Sequence, residues 1–269
     1  MFKNTKKKVQ IYLRPPASYY GGKQQLLTRI LAKIPEHRKY DEPFLGGGAV
    51  YWSKKPSEIE IINDLDGFVT NFYRVIQSDF EALKRLVDSI PYSREAHDEA
   101  CVMRQFPNLF TDVQKAWSFF FMANTSMFSI LGNIMNTPSR DQKPIRTFLN
   151  KVDRFTDVYA ERLKSTFIEN RNALYVIKTH DGEDTFHFID PPYFNSDCGH
   201  YGGYTHGDFE TLLILLGTLQ GKFMLTCYPS DLLNQYVALN GWHVECIEMQ
   251  LSASKIKGKK KVECLVTNY

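Results

Sequence analysis

The chain has 269 residues, 43% of them hydrophobic, with 33 Lys and Arg against 30 Asp and Glu for a net charge of +3. That length suits one sizeable core with a smaller appended region, and the slight charge leaves affinity for a polyanion to local patches, Lys3 to Lys8 and "KIKGKKK" at 255–261. No apolar run reaches the roughly 18 residues of a membrane span, so no membrane partner is expected. The basic "MFKNTKKKVQ" is not followed by an apolar signal core. Cys101, Cys198, Cys227, Cys246 and Cys264 are scattered, with no Cys-x-x-Cys pair. Reduced thiols in a cytoplasm are therefore expected, and no zinc site.

In chain order, "KQQLLTRILAKIP" places Leu26, Leu27, Ile30, Leu31 and Ile34 on one helical face, closed by Pro35. A short strand is expected around Tyr40–Phe44, a helix from about Ala49, and a strand in "EIEIIND". "GFVTNFYRVIQSDFEALKRLVDSI" reads as helix in two pieces. From about Tyr92 to Asp184 the chain is rich in helix and loop, with no run like a buried parallel strand until 174–177. Alternation resumes with the strand "TFHFID", the helix "DFETLLILLGTLQG", the strand "KFMLTCY", a helix near Leu232–Leu239, and the strands "WHVECIEM" and "VECLVTNY". This is an α/β layer fold interrupted by an insertion.

Three segments fall where such a sheet binds ligands, outside the carboxyl ends of its strands. "EPFLGGGAV" runs from a strand through a glycine turn into a helix, and Gly46 and Gly48 allow a ligand to approach the backbone closely. Position 51, where a dinucleotide fingerprint has its third glycine, is Tyr. Asp64, ending the next strand, suits ribose hydroxyls, or equally the N-cap of the following helix. In "SYYGGKQQL", Gly21, Gly22 and Lys23 lack the Walker A pattern, so Lys23 is read as an ion-pair partner for a carboxylate. A nucleoside carrying an amino acid fits all three, and S-adenosylmethionine is one. The strand "FHFI" then stops at Asp190, Pro191, Pro192 and Tyr193, a carboxylate and an aromatic ring on the rim of the sheet.

"YYGGK", "EPFLGGGAV", "IIND" and "IDPPY", in this order, resemble the Dam-like (alpha-class) DNA adenine-N6 methyltransferases; "KFMLTCYPSD" and "VECLVTNY" extend the likeness over nearly the whole chain. The resemblance implies a Rossmann-like fold with a mixed, mostly parallel seven-stranded sheet. It also implies a catalytic domain in two parts, 1–85 and 173–269, around a helical target-recognition region at 86–172. The cofactor would be S-adenosylmethionine, yielding S-adenosylhomocysteine, with no metal. Its site would comprise Tyr19, Gly21, Gly22, Lys23, Gly46, Gly48, Asp64 and Asp190, with Phe44 against the nucleoside. Asp190 and the Pro191 carbonyl would accept the two protons of adenine's exocyclic amine and favour its lone-pair-bearing form. Pro192 would stiffen the turn, and Tyr193 would offer a flat face to a base swung out of the helix.

The implied partner is double-stranded DNA, with a restriction endonuclease as a candidate companion, for a cytoplasmic monomer or weak dimer. "AWSFFFMANTSMFSILGN", at 116–133, resembles the segment before the family's DNA-reading hairpin. It places Phe128 and Ser129 at the duplex, although Phe128 could equally share a buried helical face with Phe121. Arg140, Lys143 and Arg146 are candidates for contacts to phosphate or guanine. An arginine of GATC-reading relatives is replaced by Asn133, so GATC is not expected as the target. Two other readings stay open: methylation of cytosine in DNA or of an RNA base, and a catalytically silent DNA-binding regulator.

Overall fold

A computed structural model describes residues 11–138, 141–194, 203–250 and 260–269. Helix α1 (Leu27–Lys33) is followed by β1 (Lys39–Glu42), α2 (Ala49–Ser53), β2 (Ile59–Asn63), α3 (Gly67–Ser78) and α4 (Phe80–Ser89). A helical stretch follows: α5 (Arg94–Gln105), α6 (Asp112–Thr125), α7 (Lys143–Arg154) and α8 (Val158–Leu163). The chain then returns to the sheet with β3 (Thr166–Glu169), α9 (Ala173–His180), β4 (Thr185–Ile189), α10 (His206–Leu216) and β5 (Lys222–Cys227). It closes with α11 (Asp231–Asn240), β6 (His243–Gln250) and β7 (Lys260–Thr267).

The seven strands form one sheet in the order β3-β2-β1-β4-β5-β7-β6, parallel except for β7, which runs against both β5 and β6. This is the mostly parallel seven-stranded sheet expected of a Rossmann-like methyltransferase. All five residues of β4 are buried, which explains its unbroken apolar run: a central strand is covered on both faces. The chain leaves β1 toward β2 and β3 on one side and later takes up β4 and β5 on the other. The crevice between β1 and β4 is thus the switch point at which such sheets bind ligands.

Apolar side chains cover both faces. The larger core continues without a break into the helical stretch, where Phe72 of α3 lies 4.7 Å from Phe119 and Phe120 lies 4.8 Å from Phe155, ring centre to ring centre. Helix α6 starts with a reciprocal capping box, Thr111 with Gln114, and its residues Ala116–Ala123 are all buried, so it forms the axis of this region.

Behind the first glycine turn lies a buried ionic cluster. The Arg162 guanidinium donates to both oxygens of Glu60, at 2.9 Å to Oε1, and to the Tyr51 hydroxyl at 3.0 Å. The Lys54 ammonium reaches Glu60 Oε1 at 2.5 Å. These side chains join α8, β2 and α2 beneath the turn.

Three expectations change. The run at 174–177 is not a strand but part of α9, because the Asn172 side chain caps a helix there by accepting from Leu174 N–H. The strand that returns to the sheet is β3, eight residues earlier; only Thr166 in it is buried, so its apolar signature is faint. It lies within the span 86–172 read as insertion, yet it pairs along β2. The cysteines are not all free thiols: Cys246 and Cys264 stand directly opposite each other on β6 and β7, Cα atoms 4.1 Å apart, and form a disulfide. Cys101 and Cys227 are free, and Cys198 lies outside the described residues. Among the described residues no helix is long and apolar enough to cross a membrane, and no group of three or more His, Cys, Asp or Glu could hold a metal ion.

Candidate active site

The parallel strands deliver Glu42, Asn63, Ile189 and Cys227 to one edge of the sheet, and the residues that follow them form the site. After β1 the chain turns through Gly46 (φ 49°) and Gly48 (φ 62°), left-handed values that favour glycine. A Cβ on Gly46 would sit 2.9 Å from the Tyr19 ring, so glycine is needed for space as well as for conformation. Tyr19 thus lies over the turn and also packs on Phe119 at 6.2 Å. Phe44 is half-buried against the smaller core.

Asp64 is half-buried at the end of β2. Its Oδ2 accepts from Gly46 N–H at 2.8 Å and its Oδ1 from Asp66 N–H at 2.9 Å. Each oxygen keeps a lone pair for a further donor. Burial pushes this carboxyl up to about 6, while the N–H groups of Asp66 and Gly46 pull the other way. The capping role weighed for Asp64 belongs to Asp66, whose side chain accepts from Phe68 N–H at the start of α3.

Asp190 follows β4. Its Oδ1 accepts from the Thr226 hydroxyl at 2.6 Å, and its Oδ2 lies 2.6 Å from Lys23 Nζ. Burial raises its pKa, and the adjacent Lys23 offsets this only in part. Lys23 is buried, also donates to Gly21 O at 2.9 Å, and stands 3.4 Å from Glu263 Oε1, so its ammonium already has carboxylate partners within the protein. Burial lowers the Lys23 pKa, but Asp190 and Glu263 together lift it above its ordinary value. The Tyr193 hydroxyl donates to Glu263 at 2.6 Å, and its ring meets the Tyr228 ring edge-on at 4.5 Å. Pro191 is buried and Pro192 half-buried, so the turn is fixed in place.

Sequence reasoning did not find Glu263, Thr226 or Tyr228. Thr226 and Tyr228 sit at the carboxyl end of a strand already recognised, which is a usable signal. The available signal for Glu263 was an acid within the apolar run Val262–Val266 of β7.

Residues 125–136 form a narrow loop closed by Asn136 N–H on Thr125 O at 2.7 Å and Met127 N–H on Ile134 O at 2.8 Å. Phe128 (φ 57°) and Ser129 (φ 56°) at its tip are both left-handed, and Phe128 is 54% exposed. The shared buried face with Phe121 is thus not formed. Such a conformation costs an aromatic residue about 1–3 kcal/mol and persists only where the surroundings enforce it. Lys143 and Arg146 are exposed on the first two turns of α7, and Arg140 lies outside the described residues. The loop is joined to the site through Lys151 of α7, whose ammonium reaches Ser18 Oγ at 2.6 Å and Asn124 Oδ1 at 2.5 Å. Asn124 Oδ1 also accepts from Ser18 N–H at 3.1 Å, and burial lowers the Lys151 pKa to about 8.

The family model of the D12 class N6 adenine-specific DNA methyltransferases matches residues 19–248. The type II methyltransferase M1.LlaDCHI of Lactococcus lactis subsp. cremoris is 26% identical over 287 aligned positions covering 99% of both chains. The type II methyltransferase M.CviBI of Paramecium bursaria Chlorella virus NC1A is 24% identical over 83% of this chain and 86% of its own. The DNA N-6-adenine-methyltransferase of Escherichia phage P1 is 29% identical over a shorter stretch, 38% of this chain and 14% of its own.

Proposed function

Because the chain belongs to the D12 class N6 adenine-specific DNA methyltransferases, we propose that it uses S-adenosylmethionine to methylate the exocyclic amine of an adenine turned out of duplex DNA. The observation that carries this reading is the convergence of Asp190, Lys23 and Tyr193 on the sheet edge beside the Gly46–Gly48 turn. The described residues suit S-adenosylmethionine: Asp64, at the end of β2, keeps lone pairs for ribose hydroxyls beside the N–H groups it already accepts. The family's substrate favours adenine in DNA over cytosine or an RNA base.

S-adenosylmethionine, when bound, supplies a methyl group made electrophilic by its sulfonium. The protein supplies position and a better nucleophile. Asp190 accepts one N–H of the amine and the Pro191 carbonyl the other, which draws the nitrogen toward its lone-pair-bearing form. Thr226 holds the Asp190 carboxylate in one rotamer. Transfer would break the methyl–sulfur bond as the N–C bond forms, with S-adenosylhomocysteine as the leaving group, and the surplus amine proton would pass to Asp190, whose raised pKa suits it to receive it. Tyr193 packs against the base.

Target recognition belongs to the helices and loop from α5 to α8, ending before β3. Phe128, Ser129, Lys143, Arg146 and Arg140 are its proposed DNA contacts. DNA as substrate implies a cytoplasmic enzyme. Expression in a methylation-free host, followed by sequencing of modified bases, tests the function and reads out the target. Absence of N6-methyladenine, with no S-adenosylmethionine binding by calorimetry, would leave the silent-regulator reading.

Two predictions attach to these sites. Asp64→Asn weakens S-adenosylmethionine about tenfold to a hundredfold, the range for a charge-assisted hydrogen bond of about 1.5–3 kcal/mol. In the unaltered protein the affinity falls as pH drops through about 6, because protonation removes the ionised acceptor. The Asn variant lacks that step, and calorimetry from pH 5 to 8 would show it; an unchanged pH profile removes Asp64 from the site. Phe128→Ala slows methylation of matched duplex far more than of duplex whose target adenine is mismatched, because a wedge offsets part of the few kcal/mol of unstacking. Its melting temperature stays close to that of the unaltered protein, as befits a side chain 54% exposed. Equal rate losses on both duplexes would count against the wedge.

A further inference from the structure

Glu263 has no part in the steps above, yet it is one of the most buried charged groups in the protein, 2% exposed. It reaches the site because β7 is antiparallel: Cys264 pairs with Cys227, so the residue before it stands level with the residues that follow β5. Its Oε1 lies 2.6 Å from the Tyr193 hydroxyl and 3.4 Å from Lys23 Nζ, and its Oε2 lies 3.3 Å from Lys261 Nζ. Burial would raise its pKa, but Lys23 and Lys261 hold it below the ordinary carboxylate value, so it is an anion. One buried ammonium, that of Lys23, is thus shared by the buried carboxylate of Glu263 and the half-buried one of Asp190.

This sharing answers a difficulty in the proposed reaction. Oδ1 of Asp190 already meets the Thr226 hydroxyl at 2.6 Å and the Tyr193 hydroxyl at 3.3 Å, and Oδ2 carries the Lys23 ammonium at 2.6 Å. An ammonium at 2.6 Å also weakens a carboxylate as an acceptor for the amine. Moving a buried cation off its anion is costly unless another anion stands ready. Glu263 is that anion, less than 1 Å farther from the same nitrogen.

We infer that Glu263 is a positioning residue that takes over Lys23 when the target adenine enters, freeing Asp190 for the exocyclic amine. The inference rests on the methyltransferase reading and deepens it. It accounts for the Tyr193–Glu263 bond as well, since the ring meant to pack on the base is oriented by the same carboxylate.

The test uses the full chain and a duplex carrying the target found by modified-base sequencing. Single-turnover methylation is measured against pH for the unaltered protein, Glu263→Gln and Glu263→Asp, with calorimetry of S-adenosylmethionine in the absence of DNA. Asp190 is faced by Lys23, Glu263, Tyr193, Glu42, Cys227 and, one step removed, Lys261. Removing the negative charge of Glu263 commits Lys23 to Asp190, so the Asp190 pKa falls. Glu263→Gln therefore lowers the plateau rate at least tenfold and moves the acid limb of the profile to lower pH. Its affinity for S-adenosylmethionine stays within threefold of the unaltered protein. Glu263→Asp, with its charge one methylene farther from Lys23, is intermediate in both rate and limb, and carries the test alone if the Gln variant does not fold. A rate loss with the acid limb in place, an unchanged rate, or a parallel loss of S-adenosylmethionine binding overturns the inference. An unaltered protein that methylates nothing overturns instead the function on which it rests.

Discussion

Asp190→Ala is expected to remove turnover while leaving the fold intact. The carboxylate sits at the end of β4, beyond the buried strand residues, with 20% of its side chain exposed, so truncation opens no cavity in the core. Lys23, released from Asp190, keeps Glu263 as a counter-ion, and no buried charge is orphaned. The loss is therefore chemical. Removing an acceptor aimed at the reacting group costs about 3 kcal/mol or more in the barrier, a hundredfold to a thousandfold in rate. Single-turnover methylation at saturating S-adenosylmethionine measures this directly, and activity within threefold of the unaltered protein would end the assignment.

Glu60→Ala is expected to have the largest effect on stability. It strips the shared carboxylate from two side chains that are 3% and 4% exposed, Lys54 and Arg162. Breaking a buried ionic group by removing one partner costs about 3–5 kcal/mol, a large part of a typical folding free energy of about 5–15 kcal/mol. The loss has a pH signature. Burial already lowers Lys54 to about 8 in spite of Glu60, and without Glu60 its folded pKa falls further. Between the two folded values the unaltered protein holds a proton that the variant has shed. The variant's deficit is thus greatest at mildly acidic pH, above the range where Glu60 itself is protonated, and shrinks as pH rises toward about 8. Urea unfolding at pH 6 and pH 8 tests the sign, and a deficit that grows with pH would reject this account.

What the sequence disclosed follows from where the determinants lie along the chain. Strand β4 and helix α1 show their periodicity within a dozen residues, and the glycine turn and the Asp190-Pro-Pro turn carry their chemistry in contiguous letters. Strand β3 escaped because an edge strand with one buried residue lacks the apolar run of a central strand. Helix α9 was misread because its cap, Asn172, stands outside the four apolar positions that suggested a strand. Lys23 was recognised, but its partners Asp190 and Glu263 are 167 and 240 residues away by residue number. Glu263 was missed for a topological reason: looking for ligands at the carboxyl ends of strands overlooks the beginning of an antiparallel one. The disulfide is of the same kind, a pairing across β6 and β7 fixed by register rather than by spacing.

The bond from Lys151 to Ser18 and Asn124 bears on how such enzymes can acquire new target sequences. Two of its three members lie in the helical stretch and the third in the loop that leads to Lys23. Transplanting the whole stretch from a relative would carry off Lys151 and Asn124 together, leaving Ser18 to find new partners next to the cofactor site. Asn124 lies just before Thr125, where the narrow loop closes on Asn136. An exchange limited to residues 126–135 would replace the tip that bears Phe128 and Ser129 and leave all three members in place. Under the proposed reading of that loop, the seam along which specificity can be traded runs through its neck, well inside the boundary between the sheet and the helical stretch.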